Sequence, residues 1–187
     1  MNLHLPSAPH AHAPDSVPRI MQLVLLAVAP TVLYGVILFG WPALNLLLVT
    51  VLACLLCEAA CLQIAGRPIQ PGLWDGSALL TGVLLAVSLP PWAPWWIGVL
   101  GAVFAIVISK QVFGGIGQNL FNPAMLARVA LLVSFPVEMT TWLGPHPLFS
   151  SQAPGCWIAW RSPSAAFQMW TGSAARPFSA TFVPSWA

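Results

Sequence analysis

The chain has 187 residues, 58% of them hydrophobic and only 5% charged, and six Lys and Arg against four Asp and Glu leave a formal charge of +2. Ordinary soluble domains carry roughly 25% charged residues, so this composition reads as an all-α polytopic membrane protein with the lipid bilayer as its solvent. Six scattered basic residues also exclude a nucleic-acid-binding patch.

Residues 1 to 18 hold His4, His10, His12 and four prolines and contain no apolar core of a secretory signal, so a short polar cytoplasmic tail is expected. The three His are a candidate metal set, but prolines interrupt them and no acidic or Cys partner lies within the span. The first apolar run, Ile20 to Gly40, is long enough at about 1.5 Å per residue to cross a hydrocarbon core of about 30 Å. Pro30 in its middle removes a backbone hydrogen bond that a kink or a packed neighbour absorbs. A second run, Pro42 to Ala65, follows with almost no loop, which predicts a helical hairpin.

That second run contains CLLCEAAC, placing Cys54, Cys57 and Cys61 along one helical face. Ligands of an iron–sulfur cluster or zinc are one reading. Ordinary small buried thiols are the other, and Cys156 in the tail is the only further Cys. Glu58 either faces the bundle interior, as intramembrane ionisable groups do by default, or reaches the interface near Arg67.

After Pro68, the uninterrupted apolar part from Ser77 to Leu89 spans nearer 20 Å than 30 Å as a helix. Short, Gly-interrupted segments are the pattern of discontinuous transporter helices, which makes Asp75, Ser77 and Thr81 site candidates. An ordinary helix capped by Asp75 or Ser77 explains the same residues. Pro90, Pro91 and Pro94 end it, and Trp95 to Val112 is the next crossing.

Between that crossing and a fifth run, Ala124 to Trp142, lies KQVFGGIGQNLFNPAMLAR. So many Gly and amide residues at membrane depth are tolerated where irregular backbone is buried in protein or lines a polar cavity, which points to Asn119, Asn122 and Arg128 as wall residues. The plainer alternative is a cytoplasmic loop with Asn122 and Pro123 starting a helix. With five alternating segments, Arg19, Arg67, Lys110 and Arg128 share one side and Trp41, Trp92, Trp95, Trp96 and Trp142 the other. Positive-inside bias then puts the N-terminus in the cytoplasm. One polar cavity lined by Asp75, Ser77, Thr81, Asn119 and Asn122 is expected near the middle of the bundle.

From Gly144 the sequence loses helical periodicity and turns rich in Pro and Trp, which reads as an outer-side tail. The expected division is therefore 1–18 cytoplasmic tail, 19–143 five-helix membrane domain and 144–187 periplasmic tail. The tail's composition suggests a truncated or out-of-frame end from about Gly144 or Gln152.

Three stretches, DGSALLTGVLLAVSLPPWAPWW, KQVFGGIGQNLFNPAMLARVALLVSFP and MTTW, together with CEAACLQIAGRP, resemble the NqrB/RnfD family over roughly Arg19 to Trp142. The resemblance implies a multi-pass bacterial inner-membrane subunit of an Rnf-type ion-translocating complex. Such a complex couples electron flow between ferredoxin and NAD to sodium or proton movement, with the other complex subunits as partners. It also implies two five-helix repeats of urea-transporter-like fold, of which this chain supplies the first. FMN, and possibly riboflavin, is the cofactor set so implied, with FMN esterified to the Thr of an S-G-A-T-type motif after the fifth helix. Ser179-Ala180-Thr181 is the nearest match here. It lacks the Gly, which argues against covalent attachment at Thr181. A channel or transporter half for a small polar solute, or a non-functional remnant, are the competing expectations.

Overall fold

The computed structural model describes residues 16 to 142. His4, His10, His12, Cys156, Thr181 and both expected tails from Asp15 back and from Leu143 on lie outside the described residues. Every regular element among the described residues is helical. They are α1 (Val17–Phe39), α2 (Trp41–Ile64), α3 (Ile69–Trp74), α4 (Ser77–Ser88), α5 (Trp95–Ala102, continued as a π-helix over Val103–Gln111), α6 (Pro123–Ser134) and α7 (Pro136–Thr140).

Two of these, α1 and α2, are long and apolar enough to cross a membrane on their own, with mean hydropathies of 2.2 and 2.3. They meet at Gly40, whose φ of 73° lies in the region that side chains disfavour. Pro30 sits inside α1 without ending it. No residue of α1 is buried, and it lies at the edge of the bundle against α4 and α2.

The organising element is α2. Its buried residues include Pro42, Leu46, Thr50, Cys54, Glu58 and Leu62, recurring every four positions. At 3.6 residues per turn such a seam rotates about 40° per step, so it winds round the helix and meets a new neighbour at each level. Leu46 and Thr50 meet α5 at Gly98, Cys54 meets α4 at Gly82, Glu58 meets the π-helix at Lys110, and Leu62 meets Gly72 of α3. These glycines admit the close approach. A Cβ on Gly98 would stand 2.5 Å from Thr50 Oγ1, and one on Gly82 would stand 3.0 Å from the Val51 Cα.

The same contacts fix direction. The start of α4 lies by the end of α2 and its end by the start of α2; Gly101 of α5 faces Leu85 and Leu131, and Trp96 packs edge-on against Phe135 with ring centroids 5.1 Å apart. α1, α2, α4, α5 and α6 therefore alternate along the bundle. The fifth run is not one helix to Trp142. It breaks at Phe135, with φ −134°, because Pro136 has no N–H to continue the ladder and starts α7 instead.

Candidate functional site

At the N-terminal end of α4 the chain turns sharply at Gly76, φ 75°. Asp75 Oδ1 accepts from the Ser77 backbone N–H at 2.8 Å and from Ser77 Oγ at 2.7 Å, and Thr81 Oγ1 donates to the Ser77 carbonyl at 2.8 Å. Asp75 is half-buried, whereas Ser77 and Thr81 are buried. The N-cap position is Gly76, not Asp75 or Ser77, but the Asp75 carboxylate just before it still satisfies an orphan N–H of the first turn, much as the plainer reading has it.

The remainder is not capping. Lys110 Nζ donates to Glu58 Oε1 at 2.8 Å and to Ser77 Oγ at 2.6 Å, and Lys110 and Glu58 are each only 2% exposed. Three helices thus converge on one ammonium. Glu58 faces the interior, as the first of its two sequence readings has it. Lys110 stands at the end of the bundle where Arg67 follows α2, as its place in the basic band has it, but its ammonium is buried and not turned to water. The π-helical winding carries its side chain inward to Glu58, where the pair replaces the hydration that each charge has lost. Glu58 Oε2 and the Oγ of Ser109, the residue before Lys110 in the chain, are buried with no hydrogen-bond partner.

Arg128 is taken elsewhere. Its Nη1 donates to the Ser88 carbonyl at 2.7 Å, at the C-terminal end of α4, where a cation is favoured by the helix dipole. Lys110 and Arg128 therefore reach opposite ends of α4, about 16 Å apart along its axis. This departs from the single band of four cations expected from the sequence.

The Gly-rich stretch follows the π-helix. Gly114, Gly115 and Gly117 adopt φ of 108°, 99° and 84°, and Gly115 N–H donates to the Lys110 carbonyl at 3.0 Å, closing the helix end. Asn122 is exposed, and its Oδ1 accepts from Ala124 N–H at 3.1 Å as the cap of α6. Asn119 is half-buried, with its Oδ1 buried and unpartnered. Of the five expected cavity residues, Asp75, Ser77 and Thr81 come together, and Asn122 serves the start of α6. Glu58 joins the first three as one of its readings allows. Lys110 is the residue that sequence reasoning missed.

Cys54 is buried and Cys57 and Cys61 are half-buried free thiols. Among the described residues no three His, Cys, Asp or Glu side chains gather as a metal cage. A separate cleft of about 240 Å³ lies between α1, α2, the end of α4 and Trp142, lined by Thr31, Tyr34, Leu38, Leu46, Leu89 and other apolar side chains. An FMN phosphate needs a cluster of donors. Neither place fits one, since this cleft is apolar and the polar side chains at α4 are closed on one another.

Residues 4–182 match the family described as NQR2, RnfD, RnfE. The match includes residues beyond Gly144, so it runs further than the Arg19 to Trp142 stretch carrying the sequence motifs. The chain is 63% identical over 151 residues to the D-type subunit of the ion-translocating oxidoreductase complex of Halorhodospira halophila, covering 81% of this chain and 42% of that one. It is 61% identical over 144 residues to the same-named protein of Stutzerimonas stutzeri, covering 77% and 40%. For that of Rhodobacter capsulatus the identity is 54% over 144 residues, covering 76% and 40%. The chain thus spans about two fifths of the length of these relatives.

Proposed function

This chain belongs to the NQR2, RnfD, RnfE family, and we propose that it serves as a membrane subunit of an ion-translocating electron-transport complex of the Rnf type. In such a complex electron flow between ferredoxin and NAD drives sodium or proton movement. The observation that carries the reading from this chain's own residues is the Glu58–Lys110 pair. Ionisable groups inside apolar helices are costly, and where they persist they mark ion pathways. Here the pair sits where α2, α4 and the π-helix meet, in the stretch that the named relatives share.

The finer architecture follows as part of the proposal. α1, α2, α4, α5 and α6 make five crossings of a bacterial inner membrane with the N-terminus in the cytoplasm, and they form one repeat of a urea-transporter-like bundle. Alternation of the five helices supports the crossings, and the gathering of Trp41, Trp92, Trp95 and Trp96 where α2 and α5 begin fits an interfacial belt at that end. Flavin has no part in this reading, because neither the apolar cleft nor the closed polar cluster fits its phosphate and Thr181 lies outside the described residues.

The test is co-purification. A tagged chain expressed with the remaining subunit genes is expected in the membrane fraction and to retain the other subunits through detergent extraction. A chain that purifies alone, or that stays out of the membrane, defeats the reading. Reporter fusions after Arg67 are expected to signal cytoplasm and after Trp92 the outer side, and the reverse pattern would invert the topology.

A further inference from the structure

Lys110 does more in this geometry than neutralise Glu58. Its ammonium also donates to Ser77 Oγ, and that hydroxyl in turn donates to Asp75 Oδ1, so four side chains form one unbroken hydrogen-bonded line. The line begins at a carboxylate 2% exposed and ends at one that is half-buried at the turn before α4. A pair serving stability alone has no use for a free acceptor, yet Glu58 Oε2 is buried without a partner, and so is Ser109 Oγ next to Lys110. Unsatisfied buried polar atoms are rare enough in native proteins to require an explanation.

We propose that Glu58, Lys110, Ser77 and Asp75 form a proton relay between the interior of the helix bundle and the carboxylate of Asp75 at the bundle's end. Ser77 is the link, because a hydroxyl both accepts and donates. In the first step an N–H bond of Lys110 breaks as an O–H bond forms on Ser77 Oγ, while the original Ser77 O–H proton passes to Asp75 Oδ1. This leaves a neutral amine, a neutral Asp75 acid and the Glu58 carboxylate. Glu58 Oε2 then takes a proton from a hydronium ion admitted to the bundle interior, an O–H bond of hydronium breaking as the Oε2–H bond forms, and after a half-turn of the carboxyl it hands that proton to Lys110 Nζ, which restores the ion pair. Asp75 releases its proton to water. One proton has moved, no electron has, and the same path runs in reverse.

The groups facing this line from the packed elements are few. α2 contributes Cys54 beside Glu58 and α4 contributes Thr81, whereas Arg128 of α6 is turned away to Ser88 at the other end of α4. Arg19 of α1, Cys57 and Cys61 of α2, and Arg67 before α3 are the other ionisable groups on neighbouring elements.

The relay rests on the proposed function, and the experiment separates the two. Inverted membrane vesicles holding the full complex, with wild-type chain, Ser77→Ala or Ser77→Thr, are energised by electron transfer and followed with a pH-sensitive dye and, in parallel, for sodium uptake. Ser77→Ala is expected to assemble and to move about a hundredfold fewer protons per electron transferred, the lower end of what a positioned proton-transfer group contributes. Ser77→Thr is expected to restore that ratio. Unchanged proton movement in Ser77→Ala, equal loss in Ser77→Thr, or sodium movement without proton movement in the wild type overturns the relay and leaves the subunit reading standing; failure of the wild-type chain to assemble overturns the reading itself. Should Ser77→Ala not assemble, infrared difference spectra decide. On acidification a carboxylic C=O band lost in Asp75→Asn is expected to shift in Glu58→Gln, and a band indifferent to Glu58→Gln refutes the coupling.

Discussion

Replacing Lys110 by Met keeps most of the aliphatic stem and removes the ammonium. Glu58 then loses the donor on Oε1, while Oε2 already has none, so a carboxylate 2% exposed is left without any partner. Removing one member of a buried pair costs about 3 to 5 kcal/mol. Ser77 Oγ also loses its 2.6 Å donor but keeps Asp75 as an acceptor, which limits that loss to about 1 kcal/mol. A total near 5 kcal/mol corresponds, for a chain of this size, to a melting temperature lower by about 10 to 20 °C. The double variant Glu58→Gln/Lys110→Met removes both charges and is expected within about 1 kcal/mol of wild type, because the pair's attraction largely offsets its desolvation. Residual monodisperse protein after heating in detergent, measured by size-exclusion chromatography, gives all the melting points. A single variant as stable as wild type would refute the burial argument, and a double variant as unstable as the single would refute the pairing.

Gly98→Ala forces a Cβ to within 2.5 Å of Thr50 Oγ1 and is expected to destabilise by about 1 to 3 kcal/mol; in a Thr50→Ala background most of that loss should vanish, and a loss that persists puts the clash elsewhere. Arg128→Met should cost about 1 to 3 kcal/mol through the orphaned Ser88 carbonyl, with Arg128→Lys recovering part of it in the same melting assay and equal losses pointing to packing instead. The 187-residue chain expressed alone is expected to carry no covalent flavin, since its Ser179-Ala180-Thr181 lacks the Gly of the expected acceptor motif. In-gel fluorescence after denaturation checks this, and a fluorescent band abolished by Thr181→Ala would show the reverse.

The helices with clean apolar runs are legible from composition and length alone: α1, α2 and α4 fall within a few residues of where the sequence places them. The differences lie where a side chain competes between two roles. Asn122 has an amide fit for a cavity wall, but in an Asn-Pro pair at a helix start the nearest unsatisfied N–H is its own chain's, and the cap forms first. Phe135-Pro136 carries its own warning, since a proline there ends the preceding ladder, yet the run of hydropathy through Val137 hides the break.

Lys110 departs from expectation for a subtler reason. At the end of an apolar run a lysine is expected to snorkel to the interface, and under α-helical winding that expectation is sound. The sequence nonetheless holds a contrary signal in the small residues Gly101, Ala105 and Ser109, which stand four apart, and the buried positions do recur as Ile97/Gly98, Gly101/Ala102, Ala105/Ile106 and Ser109/Lys110. A strict period of four drifts off the face of a helix with 3.6 residues per turn by about 40° each turn. It stays on one face only if part of the helix winds wider, as i→i+5 hydrogen bonding does over Val103–Gln111 and on to Val112 N–H, which donates to the Val107 carbonyl at 3.0 Å. Lys110 follows from that period: the stripe that packs Gly98 on Thr50 ends, three repeats later, by turning an ammonium onto Glu58 instead of releasing it to water.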